Sequence, residues 1–350
     1  MLYKILNSFL KQTDPEVAHK YAIKFLKQNI IPFDLFRFKT DNSLKTKVFG
    51  INFDNPIGLA AGFDKNAEVY NSIFKLGFGF SEVGTITPNP QEGNPKPRVF
   101  RLNDDQAIIN SLGFPNEGME KIYERILNNP KKSILGINIG PNKENATKED
   151  DYLICIEKFY EQADYIAINI SSPNTPRLRK LHDTEQISSL INVLQKFKKN
   201  SRENKPIIFK LSPNLNNSEI DILSEIFLEK KIDGLVLTNS TVDGKEILLD
   251  KDKSKPGGLS GYPLNSISNK VIKNFYKNLK GSIPIIGVGG VSNGLTAYEK
   301  IKCGANLLQL YTALVFKGPF IASKINKELS HLLKKDGLQN ISEAIGVNAN

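Results

Sequence analysis

The sequence predicts a (β/α)8 barrel (TIM barrel) preceded by an N-terminal two-helix amphipathic extension. Eight short β-rich runs alternate with helical segments from residue 55 onward, and polar residues follow most of these runs. The length of 350 residues fits one barrel with insertions. A composition of 40% apolar and 24% charged residues is typical of a soluble globular protein and excludes global disorder.

The extension is predicted from apolar residues at helical spacing. Its first helix has one apolar face, made of Leu2, Ile5, Leu6, Phe9 and Leu10. We expect Thr13 to be the N-cap of a second helix and Glu16 to complete its capping box. Asp14 and Pro15 suit the first turn of that helix. Its apolar face should consist of Val17, Ala18, Tyr21, Ala22, Phe25 and Leu26.

Two interpretations of this extension remain open from periodicity alone. Lysines surround both predicted helices: Lys4, Lys11, Lys20, Lys24 and Lys27. The pair either packs on the main domain or lies in a membrane interface. The sequence has no run of 18 apolar residues, so we expect no transmembrane helix, and it shows no secretory signal. Residues 1–40 are predicted to form the extension and residues 41–340 the barrel domain.

The predicted barrel strands are nearly continuous apolar runs, as expected for parallel strands buried on both faces. They lie near 56–61, 79–85, 134–139, 164–170, 206–211, 233–238, 283–288 and 306–311. Helices are predicted over 150–162, 184–199, 218–230, 264–279 and 294–302. The long gaps near 88–133 and 241–263 should be insertions in βα loops. A doubly wound open sheet is the alternative, but it usually needs fewer strands.

The charge and cysteine content narrow the possible functions. A net charge of +10, half of it in the first 50 residues, indicates anionic partners, although a Lys-rich composition also fits a low-GC genome. Two cysteines and three histidines argue against a disulfide framework and a zinc or iron–sulfur site, so no metal is expected. Cys155 lies inside a predicted helix and Cys303 at a helix end, and both are interpreted as structural.

Polar residues at the strand ends predict the position of an active site, because the C-terminal ends of barrel strands share one mouth. Lys65 follows the first strand, and Lys210 lies inside an apolar one, where an amine is costly unless it faces a charge. Four asparagines converge on the same mouth: Asn138, Asn169, Asn174 and Asn239. The glycines of 287–290 and residues 311–312 suit a phosphate. The mouth should hold an anionic, hydrogen-bond-rich ligand.

Ser172 is the candidate proton acceptor, because it follows the fourth strand and no histidine is near it in sequence. The missing histidine argues against an acyl-transfer triad. The stretch GGLSG at 257–261 resembles a nucleophile elbow, but we expect no strand there and reject it. The sequence also lacks a dinucleotide fingerprint and a Walker A loop.

Several of these stretches together resemble the dihydroorotate dehydrogenase family. They are AAGFDK at 60–65, GTITP at 84–88, PRVFRL at 97–102, INISSPNTP at 168–176, GGLSG at 257–261, IIGVGG at 285–290 and EAIG at 343–346. The resemblance spans nearly the whole chain. It is to the class 2, quinone-dependent branch, which has Ser at the catalytic position; the soluble class 1 enzymes have Cys there and lack the helical extension.

The resemblance implies an FMN lying across the barrel mouth and a reaction that oxidises dihydroorotate to orotate in pyrimidine biosynthesis. The implied FMN contacts are Ala61, Gly62, Lys65, Thr85, Asn138, Asn169, Lys210, Thr238, Gly261, Gly290, Tyr311 and Thr312. The implied substrate contacts are Lys65, Asn110, Ser111, Leu112, Gly113, Phe114, Asn169, Asn174, Asn239 and Ser240. Ser172 would take the C5 proton, while hydride passes from C6 to the flavin and a membrane quinone then accepts the electrons.

The same resemblance favours the membrane interpretation of the extension. It implies a peripheral membrane protein that is a monomer and has no nucleic-acid partner. We expect the cytoplasmic face of a bacterial inner membrane, with the mitochondrial inner membrane as the alternative. Ser111, Pro115, Arg177 and Ser240 depart from the family pattern. Rival interpretations are a class 1-like enzyme, a tRNA dihydrouridine synthase and a phosphate-binding barrel that has lost catalysis.

Overall fold

The computed structural model describes residues 13–28, 39–145, 149–175 and 177–349. The strands are β1 Thr46–Val48, β2 Ile51–Phe53, β3 Ile57–Leu59, β4 Phe80–Ile86, β5 Val99–Leu102, β6 Ala107–Asn110, β7 Ile134–Ile139, β8 Tyr165–Asn169, β9 Ile207–Leu211, β10 Gly234–Leu237, β11 Gly258–Gly261, β12 Ile285–Val288 and β13 Leu307–Leu310. The helices are α1 Pro15–Gln28, α2 Tyr70–Ile73, α3 Met119–Asn128, α4 Asp150–Phe159, α5 Thr184–Asn200, α6 Asn217–Lys230, α7 Leu264–Leu279, α8 Gly294–Lys302, α9 Thr312–Lys317 and α10 Ile321–Lys335.

Eight parallel strands close into a barrel in the order β3-β4-β7-β8-β9-β10-β12-β13, with β13 pairing back onto β3. The predicted (β/α)8 fold is therefore confirmed, and each predicted run contains or overlaps one barrel strand. The helix predicted over 150–162 ends earlier, at Phe159. The other four predicted helices agree with the structure to within one residue at each end.

Apolar side chains fill the lower part of the barrel and the space between its strands and helices. One buried cluster inside the barrel contains Phe80, Tyr165, Ile208 and Val236, together with apolar residues of neighbouring strands. The hairpin of β1 and β2, which was not predicted from the sequence, covers the N-terminal end of the barrel. Its Phe53 contacts Phe80 edge to face, with ring centroids 5.3 Å apart.

The two long insertions form one small sheet. Strands β5 and β6 come from the first insertion, β11 comes from the second, and they pair antiparallel in the order β11-β6-β5. The expectation that 257–261 contains no strand is therefore wrong. Ser260 nevertheless lies within β11 rather than on a sharp turn, and its hydroxyl bonds Thr312 at 2.9 Å. The nucleophile-elbow interpretation stays rejected for that geometric reason.

Helix α1 corrects the predicted cap of the second extension helix. The Asp14 carboxylate, not Thr13, accepts the first-turn N–H groups of Glu16 and Val17 at 2.9 and 3.0 Å. A carboxylate at this position also suits the positive end of the helix dipole. Thr13 lies one residue before the cap, and the Glu16 side chain turns toward the barrel instead of back to the cap.

The apolar face predicted for α1 is only partly correct. Leu26 is buried as expected, together with Ile23, which the prediction omitted. Val17 and Tyr21 are exposed instead, Tyr21 by 61%. The helix predicted over residues 2–10 lies outside the described residues. Among those residues, no helix is both long and apolar enough to span a bilayer.

Candidate active site

A cavity of about 1210 Å³ opens at the C-terminal ends of the barrel strands, between the barrel mouth and helix α1. One side is lined by α1 residues such as Glu16 and His19, and the floor by strand-end residues such as Asn169 and Lys210. The insertion sheet and the loop after β8 form the remaining walls. The position agrees with the general location of active sites in this fold.

Lys65 is presented by a loop that Asp64 holds in place. The Asp64 carboxylate accepts the N–H groups of Glu68 and Val69 at 2.7 and 2.8 Å. Burial raises the pKa of Asp64 to about 6, although these two hydrogen bonds oppose the shift. Burial likewise lowers the pKa of Lys65 to about 8, against the opposing charges of Glu16 and Asp64. Among the described residues, Lys65 Nζ has no hydrogen-bond acceptor, so it can bind an anion in the cavity.

Lys210 lies in β9, with its side chain inside the barrel and 5% exposed. Burial lowers the pKa of Lys210, and the negative charge of Glu82 opposes this shift. Within the part of the chain that the structure describes, its ammonium group also lacks a hydrogen-bond acceptor. Because an unpaired buried amine is unfavourable, a bound acceptor above β9 would stabilise it.

Asparagine side chains connect the strand ends on the cavity floor. Thr85 Oγ1 donates to Asn138 Oδ1 at 2.6 Å, and Asn169 Nδ2 donates to Thr85 Oγ1 at 2.9 Å. Asn239 Nδ2 in turn donates to Ser171 Oγ at 3.0 Å. Tyr152 supports this floor from outside the barrel by donating to the Asn169 carbonyl at 2.9 Å. These bonds fix which polar atoms face a ligand.

Ser172 lies on the cavity wall, 5% exposed, in the loop after β8. Its Oγ accepts the N–H of Asn174 at 3.2 Å, and the Asn174 amide donates to Asn110 Oδ1 at 3.2 Å. Thr175 Oγ1, three residues later, is buried and has no hydrogen-bond partner among the described residues. No histidine side chain bonds Ser172 in the described structure, which agrees with a proton acceptor rather than an acyl-transfer nucleophile.

Glycines bring main chain close to the far end of the cavity. Gly290 has φ +75°, and a Cβ there would lie 2.4 Å from the Cβ of Asn265. Gly261 (φ +105°) would similarly place a Cβ 2.5 Å from the Gln106 carbonyl oxygen. Only glycine fits these positions, where Thr312 also lines the wall. A main-chain wall of this kind offers N–H donors to phosphate oxygens.

The structure brings nearly all of the predicted site residues to this one cavity. The lining includes Ala61, Gly62, Lys65, Thr85, Asn169, Lys210, Thr238, Gly261, Gly290, Tyr311, Thr312, Asn110, Leu112, Gly113, Phe114, Ser172, Asn174, Asn239 and Ser240. Asn138 and Ser111 do not line it. Asn138 lies below the floor and bonds Thr85, whereas Ser111 presents its carbonyl to Asn94 at 2.9 Å. Their ligand contacts stay predictions.

Three features of the site were not predicted from the sequence. Glu82 is fully buried beneath the floor, and its only sequence signal was an acidic residue inside an apolar strand. His19 lies at the α1 side of the cavity, and its ring meets Phe63 edge to face at 5.2 Å. Burial lowers the pKa of His19 to about 3, so it is neutral at physiological pH. Arg98 bonds Glu16, a long-range pair that sequence spacing could not reveal.

The cysteines are structural, as predicted. Cys155 is buried in α4, where burial raises the pKa of its thiol. Burial also raises the pKa of the half-buried Cys303. Neither cysteine lines the cavity. The described residues contain no cluster of His, Cys, Asp and Glu suited to a metal ion.

A sequence profile of dihydroorotate dehydrogenases matches residues 43–333 of this chain. The chain belongs to the dihydroorotate dehydrogenase family. It is therefore an oxidoreductase, and the family is one of flavoenzymes. The match covers the whole barrel, including every strand-end residue discussed above.

Relatives of this chain support the quinone-linked branch of the family. A dihydroorotate dehydrogenase (quinone) from Bartonella henselae is 44% identical over 95% of this chain and 92% of its own length. The mitochondrial dihydroorotate dehydrogenase (quinone) of Mus musculus is 42% identical over 95% of this chain and 87% of its own length. These relatives span bacteria and mitochondria, so they do not separate the two compartments considered above.

Solved structures of dihydroorotate dehydrogenases share the whole fold. The ligand-free enzyme from Eimeria tenella superimposes with a TM-score of 0.92 and 37% identity, covering 96% of this chain and 99% of that one. The Eimeria tenella enzyme in complex with ferulenol gives a TM-score of 0.91 at the same identity, covering 96% of both chains. The similarity extends over the barrel and its insertions.

Proposed function

We propose that this chain oxidises (S)-dihydroorotate to orotate with a bound FMN and passes the electrons to a membrane quinone. The reaction would serve de novo pyrimidine biosynthesis. The observation that carries this proposal is that one cavity is lined both by the strand-end residues around Ser172 and by helix α1. A single site can therefore be reached by a soluble anion from one side and by an apolar acceptor from the other.

The residues present fit FMN. Two amines, the half-buried Lys65 and the buried Lys210, face the cavity without an acceptor among the described residues, and glycine main chain at Gly261 and Gly290 leaves no room for a side chain. We assign the FMN contacts to Ala61, Gly62, Lys65, Thr85, Asn138, Asn169, Lys210, Thr238, Gly261, Gly290, Tyr311 and Thr312. Bound FMN supplies the acceptor of a hydride equivalent, which no amino-acid side chain can supply.

The substrate is an anionic pyrimidine with ring carbonyl and N–H groups. We assign its contacts to Lys65, Asn110, Ser111, Leu112, Gly113, Phe114, Asn169, Asn174, Asn239 and Ser240. The Lys65 ammonium suits the carboxylate, and asparagine amides supply both donors and acceptors to the ring. The bond from Asn174 to Asn110 joins two walls of the site, so both would close on the substrate together.

Ser172 acts as the general base in this proposal. Its Oγ would accept the substrate C5 proton, and bound FMN would be the acceptor of the C6 hydride. The hydroxyl proton of Ser172 would pass to solvent in the cavity as Oγ takes up the C5 proton, and the backbone N–H of Asn174 would stabilise the negative charge that develops on Oγ. Burial of most of Ser172 strengthens that hydrogen bond.

Quinone would enter beside helix α1. His19, Phe63 and Tyr311 form an aromatic cluster on this side, with the rings of Phe63 and Tyr311 5.5 Å apart. A neutral His19 adds no charge to the path. Residues 1–40 would form the membrane-associating extension and residues 41–340 the catalytic domain. We place the enzyme as a peripheral, monomeric protein on the cytoplasmic face of a bacterial inner membrane, with the mitochondrial inner membrane as the alternative.

The test is an acceptor comparison on the purified protein. Dihydroorotate oxidation is measured with a soluble quinone, with fumarate and with NAD⁺, and the released flavin is identified as FMN by chromatography. The proposal predicts a yellow protein that turns over only with quinone. Turnover with fumarate or NAD⁺ would contradict the quinone assignment, and a colourless, inactive protein would contradict the catalytic one.

A further inference from the structure

Glu82 is the terminal acceptor of a hydrogen-bond network that runs from the cavity floor into the barrel. Its carboxylate is fully buried in β4. Oε1 accepts Asn138 Nδ2 at 2.8 Å, while Oε2 accepts Tyr165 Oη at 2.9 Å and Gln309 Nε2 at 2.7 Å. Every one of these partners donates, which is the pattern of an ionised carboxylate because it has only acceptor sites.

The hydrogen-bond direction that Glu82 imposes on Asn138 is passed on toward the cavity floor. Since the NH2 of Asn138 is used by Glu82, its Oδ1 faces the floor and accepts Thr85 Oγ1 at 2.6 Å and Asn169 Nδ2 at 3.4 Å. The Asn169 oxygen consequently faces the substrate side, where it accepts Asn239 Nδ2 at 3.4 Å. Amide orientation follows from hydrogen-bond partners, so one carboxylate determines the orientation of two asparagines.

We propose that Glu82 is a positioning residue that fixes the donor and acceptor directions of the floor asparagines. The proposal rests on the proposed function in so far as FMN and substrate lie on this floor. Glu82 does not line the cavity, so it acts through its donors: Gln309 lines the cavity directly, and Asn138 reaches it through Thr85 and Asn169. Burial lowers the pKa of Lys210, and the charge of Glu82 works against that shift.

Glu82→Gln is the sharpest single test. The substitution keeps the shape of the side chain but removes its negative charge and replaces the oxygen that faces Asn138 with an NH2 group. The Gln oxygen can still accept from Tyr165 and Gln309, but its NH2 then faces the NH2 of Asn138. Asn138 must either turn over or leave two donors in contact. If it turns over, its NH2 meets the NH2 of Asn169, and the mismatch moves to the cavity floor.

Glu82→Gln combined with Asn138→Asp should rescue the network. The new Gln NH2 donates to the new Asp carboxylate, which accepts from Thr85 and Asn169 as Asn138 did. The negative charge also returns to the barrel interior near Lys210. Asn138→Asp alone should be harmful, because two carboxylates at about the Asn138–Glu82 distance of 2.8 Å repel each other.

The experiment measures FMN binding to the apoproteins by flavin fluorescence and the midpoint potential of the bound flavin. We expect each single variant to bind FMN at least about tenfold more weakly than the wild type. The double variant should bind FMN within about threefold of the wild type, because the effects of mutations at coupled sites are not additive. Tyr165→Phe is the matched control, since it removes a bond to the same carboxylate but keeps its charge and its bond to Asn138. It should bind FMN as the wild type does, with an unshifted potential.

Two results would overturn the inference: wild-type FMN binding in Glu82→Gln, or a double variant no better than the singles. Failure of the proposed function gives a different result, since the wild-type protein itself would then bind no FMN. In that case the same single and double variants are compared by thermal unfolding of the apoproteins. A double variant that regains the unfolding temperature lost by the singles supports the inference, and one that does not overturns it.

Discussion

Glu16 of helix α1 and Arg98 of the barrel mouth form a nearly bidentate ion pair, with Oε1 2.8 Å from Nη2 and both carboxylate oxygens 3.2 Å from Nε. The side chains are 21% and 7% exposed. Nη1 of Arg98 also donates to the carbonyls of Glu92 and Asn94 at 2.7 Å each. The pair therefore joins helix α1, beside the proposed quinone entrance, to the wall of the cavity.

Loss of this pair should loosen helix α1. Glu16→Gln is expected to weaken its docking by about 1.5–3 kcal/mol, since a charge-assisted bond is lost and Arg98 stays largely buried. We expect faster hydrogen exchange over 15–28 and a higher KM for quinone. The matched control is Glu68→Gln, which removes a more exposed pair to Lys27 on the same helix and should change docking by about 1 kcal/mol or less. Equal effects of the two variants would contradict this assignment.

Substrate and product binding should weaken with rising pH because of Lys65. Its pKa is lowered to about 8 by burial, so the ammonium that binds the carboxylate is lost as the pH rises through that value. The Kd of orotate should be flat below about pH 7 and rise about tenfold per pH unit well above pH 8. The charge of Glu16 holds the Lys65 pKa up, so in Glu16→Gln the rise should begin at lower pH. Calorimetric titration across this range checks both, and a Kd independent of pH up to 9.5 would disprove the role of Lys65.

Asn94 should control the wall formed by the loop after β8. Its Nδ2 donates to the carbonyls of Ser111 and Asn174 at 2.9 and 3.0 Å. Asn94→Asp places an acceptor against two acceptors, so we expect the KM for dihydroorotate to rise about tenfold. Asn71→Asp is the control, because Asn71 makes two similar donations outside the cavity. Steady-state kinetics with varied dihydroorotate decides, and a KM unchanged in both variants would count against this role.

Lys300 should give the protein a pH-dependent stability. It is fully buried in α8, where it donates to Ser268 Oγ at 3.0 Å and Asn269 Oδ1 at 2.6 Å, and burial lowers its pKa to about 7. The unfolded chain keeps this proton up to about pH 10.5, so between these values the unfolded state binds more protons and stability rises with pH.

Lys300→Met removes this contribution. The free energy of unfolding of the variant, relative to the wild type, should therefore fall as the pH rises above 7, by up to about 1.4 kcal/mol per pH unit. Urea unfolding at several pH values between 6 and 9 measures the difference. A constant difference between the two proteins would show that Lys300 is not deprotonated in the folded state.

The sequence was sufficient for the barrel because its strands are buried on both faces and bounded by turn residues, as in the run that became β9 around Lys210. Strand-end position then located most of the site, since parallel strands share one mouth. The sequence alone could not reveal which distant segments pair with each other. The sheet of β5, β6 and β11 joins two insertions, and the bond between Glu16 and Arg98 spans 82 positions.

The misjudged features have local physical causes. Thr13 and Asp14 are both good caps, and the register of Pro15 at the first helical position decided for Asp14. The predicted face of α1 followed apolarity, but Tyr21 is exposed and Ile23 is buried, because the barrel is contacted by a different side of the helix. Glu82 was not predicted as part of the site, because its donors Asn138, Tyr165 and Gln309 come from three other strands that the sequence alone does not place beside it.

Anaerobic reduction of the bound flavin by dihydroorotate tests most directly whether Ser172 removes the substrate proton in a flavin-containing barrel. Ser172→Ala should retain FMN but slow flavin bleaching by about 10²–10⁴-fold. Ser224→Ala, which removes a buried hydroxyl from α6 outside the cavity, should bleach at the wild-type rate. Bleaching of Ser172→Ala at the wild-type rate would contradict the account.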